Sequence, residues 1–121
     1  MNTTPAIGWM LRAPSTSGGK IYAILVADRA VLFGWGREDT GLPGMQYKFK
    51  TYATNFAAQE AALEKTRDKE TRQYEMAIYP KAHTFPMSYN DIRNRVAGDA
   101  VTRRALFSAV FLDGALLSQS I

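Results

Sequence analysis

Three consecutive residues, Trp35, Gly36 and Arg37, combine properties that suit contact with a nucleotide. A tryptophan at a strand end can present a flat aromatic face, and a base stacked on such a face contributes about 1–3 kcal/mol in single-strand binders. A glycine allows a phosphate close to the backbone, and a guanidinium binds phosphate oxygens in a bidentate manner. The tripeptide therefore indicates a nucleic-acid contact, although a tryptophan in a hairpin is more often a core residue.

Further cations lie in the segments that follow the tripeptide. Lys48 and Lys50 alternate with apolar residues and share a strand face with Tyr52, which adds an aromatic ring. Lys65 and Lys69 fall near the end of a predicted helix, where cations also offset the helix dipole. We expect the four lysines to contact phosphates and Tyr52 to stack on a base. Solvated lysines and a tyrosine at the sheet edge are the alternative.

Enzymatic and metal-dependent functions find little support in the sequence. The chain has no cysteine and one histidine, His83, which argues against disulfides, thiol nucleophiles and zinc sites. Neither a Gly-rich phosphate loop nor a dinucleotide-binding G-x-G-x-x-G motif is present. The adjacent carboxylates of Glu38 and Asp39 indicate a solvated turn. We therefore expect a non-catalytic protein with no cofactor and no bound metal.

Size and charge are those of one basic domain. The 121 residues are 46% hydrophobic and 12% aromatic, which is too apolar for an intrinsically disordered chain. A net charge of +4, from 15 Lys and Arg against 11 Asp and Glu, fits a nucleic-acid partner but is common in other proteins. We expect neither a signal peptide nor a membrane span, because no apolar run is long enough. The expected location is cytoplasmic, on the nucleoid or in the nucleus if the protein binds DNA.

Apolar periodicity and turn residues predict the elements that position these side chains. The first two strands form an antiparallel hairpin around Asp28-Arg29, Thr54 or Asn55 caps the central helix, and Pro80 ends the fourth strand. Ser88 caps the first C-terminal helix, and Asp99 caps the second. The predicted strands are 21–27, 30–36, 46–52 and 74–79, and the predicted helices are 55–67, 88–96 and 99–112.

These elements predict an α+β fold in three parts. Residues 1–19 form an N-terminal arm and linker, in which the apolar residues from Ile7 to Leu11 dock on the core and 14–19 is a flexible link. Residues 20–79 form a small, mostly antiparallel sheet of about four strands packed on the central helix. Residues 80–121 form a connector, 81–87, and a C-terminal helical pair whose second helix is apolar enough to be buried.

The order of features in 21–79 extends beyond the tripeptide. An apolar first strand with Tyr22 is followed by a second that ends in Trp35-Gly36-Arg37, and an alanine-bearing helix precedes the next strand. The remaining matching positions are Gly41, Gly44, Gln46, Phe49, Lys65, Lys69 and Tyr74. In this order the segment resembles a WGR domain, the module named for the tripeptide in poly(ADP-ribose) polymerases and some bacterial proteins.

The resemblance implies a nucleic-acid-binding module without polymerase chemistry. It implies that Trp35 lies on a sugar or base near a DNA end and that Gly36 allows a phosphate to approach the protein backbone. It also implies that Arg37 contacts phosphate or braces Trp35. DNA is favoured over RNA, recognised through backbone and end features rather than sequence. The loop 38–44 is more acidic than is usual for the family, and we expect its carboxylates to weaken anion binding.

Two alternatives use the C-terminal helices. In one, the protein is an adaptor or a homodimer, in which the sheet surface or the apolar last helix binds another polypeptide. In the other, the two helices form a helix-turn-helix whose second helix opens with Thr102-Arg103-Arg104 and reads DNA. A helical pair that simply covers a sheet is more common than either.

Overall fold

Five antiparallel strands form one sheet in the computed structural model, which describes residues 3–14 and 18–111. The elements are β1 (Thr4–Ala13), β2 (Lys20–Ala27), β3 (Ala30–Arg37), a 3-10 turn (Leu42–Gly44), β4 (Gln46–Thr51), α1 (Asn55–Thr71), β5 (Glu75–Phe85), α2 (Tyr89–Gly98) and α3 (Ala100–Phe111). The strand order is β4-β3-β2-β1-β5. The predicted α+β class and C-terminal helical pair are confirmed, with five strands rather than about four.

The local signals that start the helices and the hairpin are confirmed. β2 pairs with β3 from Lys20–Arg37 to Ala27–Ala30, and Asp28 takes a positive φ of 53° in the turn between them. The Thr54 hydroxyl accepts a hydrogen bond from the Ala57 amide at 3.0 Å and caps α1. Ser88 caps α2 and Asp99 caps α3 in the same way. α1 continues to Thr71, four residues beyond its predicted end.

The predicted N-terminal arm is a strand of the sheet. β1 lies between β2 and β5 and pairs with both, so it is an interior strand rather than a segment docked on the core. It is covered on both faces, with Trp9 packed on one side and Met10 on the other. A strand buried on both faces does not alternate between apolar and polar residues, and Gly8 interrupts its apolar run, so periodicity does not reveal it. Residues 15–17 of the predicted link lie outside the described residues.

The prediction that Pro80 ends its strand is wrong. β5 continues through Pro80 to Phe85, so the predicted connector containing His83 is its second half and the predicted boundary after residue 79 falls inside it. β5 is an edge strand, where a residue without an N–H group is tolerated. Its pairing with β1 also shifts register between Gly8 and Met10, and Pro80 lies in that irregular stretch.

Helices cover the two faces of the sheet. α1 packs on β2 and β3 through Ala58 and Ala62, whose small side chains let the helix lie close to the sheet. At the edge of this contact the Trp9 indole N–H donates to the Thr66 hydroxyl at 2.8 Å, and that hydroxyl donates to the Ala62 carbonyl at 2.9 Å. The buried polar atoms are thereby paired, which avoids the cost of an unsatisfied indole N–H.

The C-terminal helices cover the opposite face. The buried side chains of α3 are Leu106, Phe107, Val110 and Phe111. Close approach there depends on glycine, because a Cβ added at Gly34 would lie 2.8 Å from Met45 Cε and 2.9 Å from Phe107 Cε2. The predicted burial of the last helix is therefore confirmed, although Leu112, its predicted end, lies outside the described residues. Within the described ranges no helix is both long and apolar enough to cross a membrane.

We expect Phe107→Ala to lower the free energy of unfolding by about 3–5 kcal/mol, because it leaves a cavity between α3 and the sheet. Phe107 is 0% exposed, whereas Val101 on the same helix is 62% exposed. Val101→Ala is therefore the matched control and is expected to change stability little. Urea denaturation of both variants measures the difference. Equal effects would contradict the packing described here.

Candidate nucleic-acid interface

A groove of about 530 Å³ runs between α1 and the strands β3 and β4, and we call it the α1–β4 groove. Four of the eight residues predicted to bind nucleic acid line it, although they are spread over 18 positions of the chain (48–65). The lining residues are Tyr22, Phe33, Lys48, Lys50, Tyr52, Ala61, Glu64, Lys65 and Asp68. The fold thus brings together the strand lysines, the predicted stacking tyrosine and one helix lysine.

The β4 wall of the groove follows from strand alternation. Lys48 and Lys50 are exposed and stand opposite Phe33 and Val31 on β3. The alternate residues, Tyr47 and Phe49, pack into the core under α3. The predicted alternation is therefore confirmed for 47–50, whereas Thr51 is exposed and Tyr52, on the lysine face, is half-buried against the core under α1. The Lys50 ammonium nitrogen lies 5.9 Å from the centroid of the Tyr52 ring, at the mouth of the groove.

The α1 wall carries charges of both signs. Ala61, Glu64, Lys65 and Asp68 lie at spacings of three and four residues, so they share one face of the helix. This face adjoins the one through which Ala58 and Ala62 contact the sheet. The two carboxylates were not among the predicted site residues, although their spacing from Lys65 places them beside it. The groove therefore combines cations with hydrogen-bond acceptors.

Trp35 is half-buried and stacks on a neighbouring ring of the protein. The Trp35 and Tyr22 rings have centroids 6.1 Å apart and an interplanar angle of 14°. The two residues are direct partners across β3 and β2. The Lys69 ammonium nitrogen lies 4.6 Å from the centroid of Tyr22 and 5.6 Å from that of Tyr74. The Tyr22 ring, which lines the groove, therefore contacts both Trp35 and Lys69.

Gly36 and Arg37 have local partners in the structure. A Cβ added at Gly36 would lie 3.2 Å from Cα and Cγ of Met45, so the glycine lets the end of the loop pack on β3. The Arg37 guanidinium forms an ion pair with Asp39 at 2.6 Å, with both side chains about half exposed. Packing of the loop thus explains why position 36 is a glycine. The guanidinium of Arg37 is already paired with the carboxylate of Asp39.

A second ion pair connects the same loop to β1. The Arg12 guanidinium lies 2.7 Å from a carboxylate oxygen of Glu38. Together, Glu38 and Asp39 each engage one arginine, which agrees with the expectation that the acidic loop competes for cations. Exposed pairs of this kind contribute only about 0–1 kcal/mol, so a phosphate can displace them.

Positive charges also gather around the end of α1. The pKa of Lys69 is lowered, mainly by burial and then by the nearby charges of Lys65, Arg72 and Lys20, while Asp68 opposes the shift. Repulsion of this kind disfavours the charged form of Lys69. Lys65 and Lys69 were predicted as site residues, and Arg72 follows them at the end of the same helix, whereas Lys20 joins them only through the fold. An anion bound here would relieve the repulsion among these charges.

The position of His83 in the fold separates it from the lysines of β4. His83 lies on β5, at the sheet edge opposite β4, and its ring contacts the edge of Phe85 with centroids 4.7 Å apart. Within residues 3–14 and 18–111, no group of three His, Cys, Asp or Glu side chains is placed to hold a metal ion.

The structure also places the residues on which the two alternatives depend. Phe107 and its apolar neighbours on α3 pack on the sheet rather than facing outward. The Arg103 guanidinium donates to the Val96 carbonyl at 2.7 Å and ties α3 to α2. Among the described residues, the large apolar side chains that remain exposed are Phe56 and Leu63 on α1, Tyr79 on β5 and Val101 in the first turn of α3. A charged residue substituted for Phe107 would therefore disrupt the core. A loss of dimerisation in such a variant would not show that α3 forms an interface.

Comparison with known proteins gives the fold but no family. No family model and no curated protein matches the chain. A crystal structure of a protein from Bacteroides fragilis matches with a TM-score of 0.53 and 18% sequence identity. The match covers 59% of this chain and 19% of that protein, so it spans about a fifth of its length. At this identity the similarity shows the fold alone.

The Tyr22 phenol provides a test of the packing beside the groove. Burial, with smaller contributions from Tyr74 and Asp68, raises the pKa of Tyr22 to about 12 from the ordinary value of 10.0. The folded state therefore holds its proton at a pH where the unfolded state loses it. Stability from this group is present below about pH 10 and is lost as the pH rises towards 12.

We expect Tyr22→Phe to make the free energy of unfolding decline less steeply between about pH 10 and 12 than in the wild type. Urea denaturation at several pH values measures this decline. Tyr79→Phe removes an exposed phenol and is expected to keep the wild-type dependence. An unchanged pH dependence in Tyr22→Phe would contradict the burial of this phenol.

Proposed function

We propose that this is a cytoplasmic, non-catalytic nucleic-acid-binding protein, and that residues 21–79 are a WGR-like module that favours DNA. The observation that carries the proposal is the α1–β4 groove, where Lys48, Lys50, Tyr52 and Lys65 are brought together. Cations beside aromatic rings are the combination by which proteins bind strands without reading their sequence. Contact with phosphates rather than base sequence is what this arrangement supports best.

Electrostatics support the same surface. The cations around the end of α1 continue from the groove towards Trp35, because Lys69 lies over the Tyr22 ring on which Trp35 stacks. A ligand that follows this surface passes the strand lysines, Lys65 and then Lys69. The net charge of +4 adds a weak, longer-range attraction for polyanions. These contacts support our proposal that the tripeptide and the groove belong to one interface.

The acidic loop sets the strength of this interface at its Trp35 end. A carboxylate oxygen of Asp39 lies 2.6 Å from a guanidinium nitrogen of Arg37, and one of Glu38 lies 2.7 Å from a guanidinium nitrogen of Arg12. A phosphate that binds either arginine must replace a carboxylate. We infer that the loop lowers the affinity for phosphate at this end of the interface, because each arginine must exchange one anionic partner for another.

We expect the double variant Lys48→Gln/Lys50→Gln to weaken DNA binding and to reduce the slope of log affinity against log salt by about two. Each lysine that neutralises a phosphate releases about one counterion, which sets that number. Fluorescence anisotropy with a labelled hairpin duplex and a labelled single strand, over a series of salt concentrations, measures the slope.

The matched control is Arg93→Gln/Arg95→Gln on α2. It removes the same charge from exposed positions on the other side of the sheet. It is expected to keep nearly the wild-type slope. An equal loss in both variants would show that only net charge matters, and no binding of the wild type at low salt would overturn the proposed function.

We expect Asp39→Asn to raise DNA affinity by about two- to threefold, because it removes the carboxylate that competes with phosphate for Arg37. Asp91→Asn, an exposed position on α2, makes the same change in net charge and is the control. The anisotropy titration at low salt compares the two. A gain of the same size in both variants would exclude competition at Arg37.

A further inference from the structure

The two walls of the α1–β4 groove differ in charge in a way that a plain phosphate-binding surface does not require. β4 contributes only the cations of Lys48 and Lys50, whereas α1 contributes the carboxylates of Glu64 and Asp68 with one lysine, Lys65, between them in sequence. We infer that the groove seats one unpaired nucleotide of a strand, with its phosphate on the β4 lysines and its base amino group on the α1 carboxylates. This inference rests on the proposed function and specifies which part of a nucleic acid enters the groove.

The size of the groove fits a single nucleotide. Its volume of about 530 Å³ lies in the range of roughly 300–1,000 Å³ that is typical of sites for small ligands. A cleft of this volume is too small to enclose a double helix, whose major groove alone is about 12 Å wide. An unpaired nucleotide can enter this cleft, while the paired strands beside it remain outside.

The distribution of charge in the groove fits a nucleotide, which has an anionic phosphate at one end and a hydrogen-bonding base at the other. A run of phosphates along the groove would meet the carboxylates of Glu64 and Asp68 and be repelled by them. A single phosphate on the lysine wall avoids this repulsion and directs its base towards α1. Carboxylates accept hydrogen bonds from the exocyclic amino groups of bases, as Glu and Asp do with cytosine N4. The acidic wall thereby becomes a source of selectivity.

Of the two carboxylates, Glu64 is the better placed acceptor. Asp68 is partly engaged by Arg72, whose guanidinium nitrogen lies 3.6 Å away. Glu64 and Tyr52 both line the groove, and the charge of Glu64 adds to the effect of burial in raising the pKa of Tyr52. A base held by Glu64 would therefore lie within reach of the Tyr52 ring.

The rings in the groove supply the remaining contact surface. Tyr22 and Phe33 are almost fully buried and form its rigid floor. Tyr52 is half-buried, and the Lys50 ammonium nitrogen lies 5.9 Å from its ring centroid. Stacking of a base on an aromatic side chain needs such a partly exposed ring. Phosphate, base edge and base face thus each have a partner within the groove.

The test compares three labelled probes by fluorescence anisotropy at low salt: oligo-dC and oligo-dT of about twelve nucleotides, and a blunt hairpin duplex. Cytosine and thymine have similar size, but cytosine offers the N4 amino donor where thymine offers the O4 acceptor. We expect oligo-dC to bind about five- to tenfold more tightly than oligo-dT, and more tightly than the hairpin.

Two variants of α1 test whether Glu64 is the source of the preference for oligo-dC over oligo-dT. Glu64→Ala is expected to bring the dC-to-dT affinity ratio close to one without weakening oligo-dT binding, because a repulsive charge is also removed. Glu60→Ala removes an exposed carboxylate one turn earlier, outside the groove, and is expected to keep the wild-type ratio. Thermal unfolding followed by circular dichroism checks that both variants fold.

The outcomes separate this inference from the proposed function. Equal affinity for oligo-dC and oligo-dT, a hairpin bound as tightly as oligo-dC, or an unchanged ratio in Glu64→Ala would overturn the inference and leave nucleic-acid binding intact. Displacement of oligo-dC by free dCMP at equal concentration would overturn it in favour of a site for free nucleotides. No binding of any probe would overturn both.

Discussion

The close contact of α1 with the sheet is the constraint on which the candidate interface depends. Ala58 and Ala62 let the helix backbone approach β2 and β3, and the hydrogen bond from Trp9 to Thr66 holds the helix at this position. Larger side chains at the two alanines would lift the helix and widen the α1–β4 groove. The distance between the lysines of β4 and the carboxylates of α1 is therefore set by residues that belong to neither group.

Local signals were enough to predict most elements, because each one arises from neighbouring residues. Thr54, Ser88 and Asp99 cap their helices with hydrogen bonds to amides two or three residues ahead, and the β2–β3 hairpin needs only a turn between two apolar strands. β1 and the second half of β5 depend instead on position in the sheet. An interior strand loses its alternation, and an edge strand accepts Pro80, so neither fact can be read from periodicity.

The candidate site shows the same division between local and tertiary information. Alternation along β4 correctly places Lys48 and Lys50 on one face, because this property belongs to a single strand. Their proximity to Glu64 and Asp68 arises from the packing of α1, which the sequence alone does not specify. The need for a glycine at position 36 arises from Met45, nine residues later, whose backbone and side chain lie against it, and the tripeptide alone does not reveal this contact. Long-range packing thus supplies both the acidic wall and the partner of the glycine.

The irregular pairing around Pro80 also affects how the molecule behaves in a crowded solution. β4 and β5 are the edge strands of the described sheet. An edge strand with unpaired backbone groups can pair with a strand of another molecule and start a fibril. On β5, Pro80 has no amide proton to offer, and the register shift beside it breaks the ladder that an incoming strand would extend. On β4, Lys48 and Lys50 repel the same residues of a second copy. In the part of the chain that the structure describes, each edge strand therefore carries a feature that opposes pairing with a strand of another molecule.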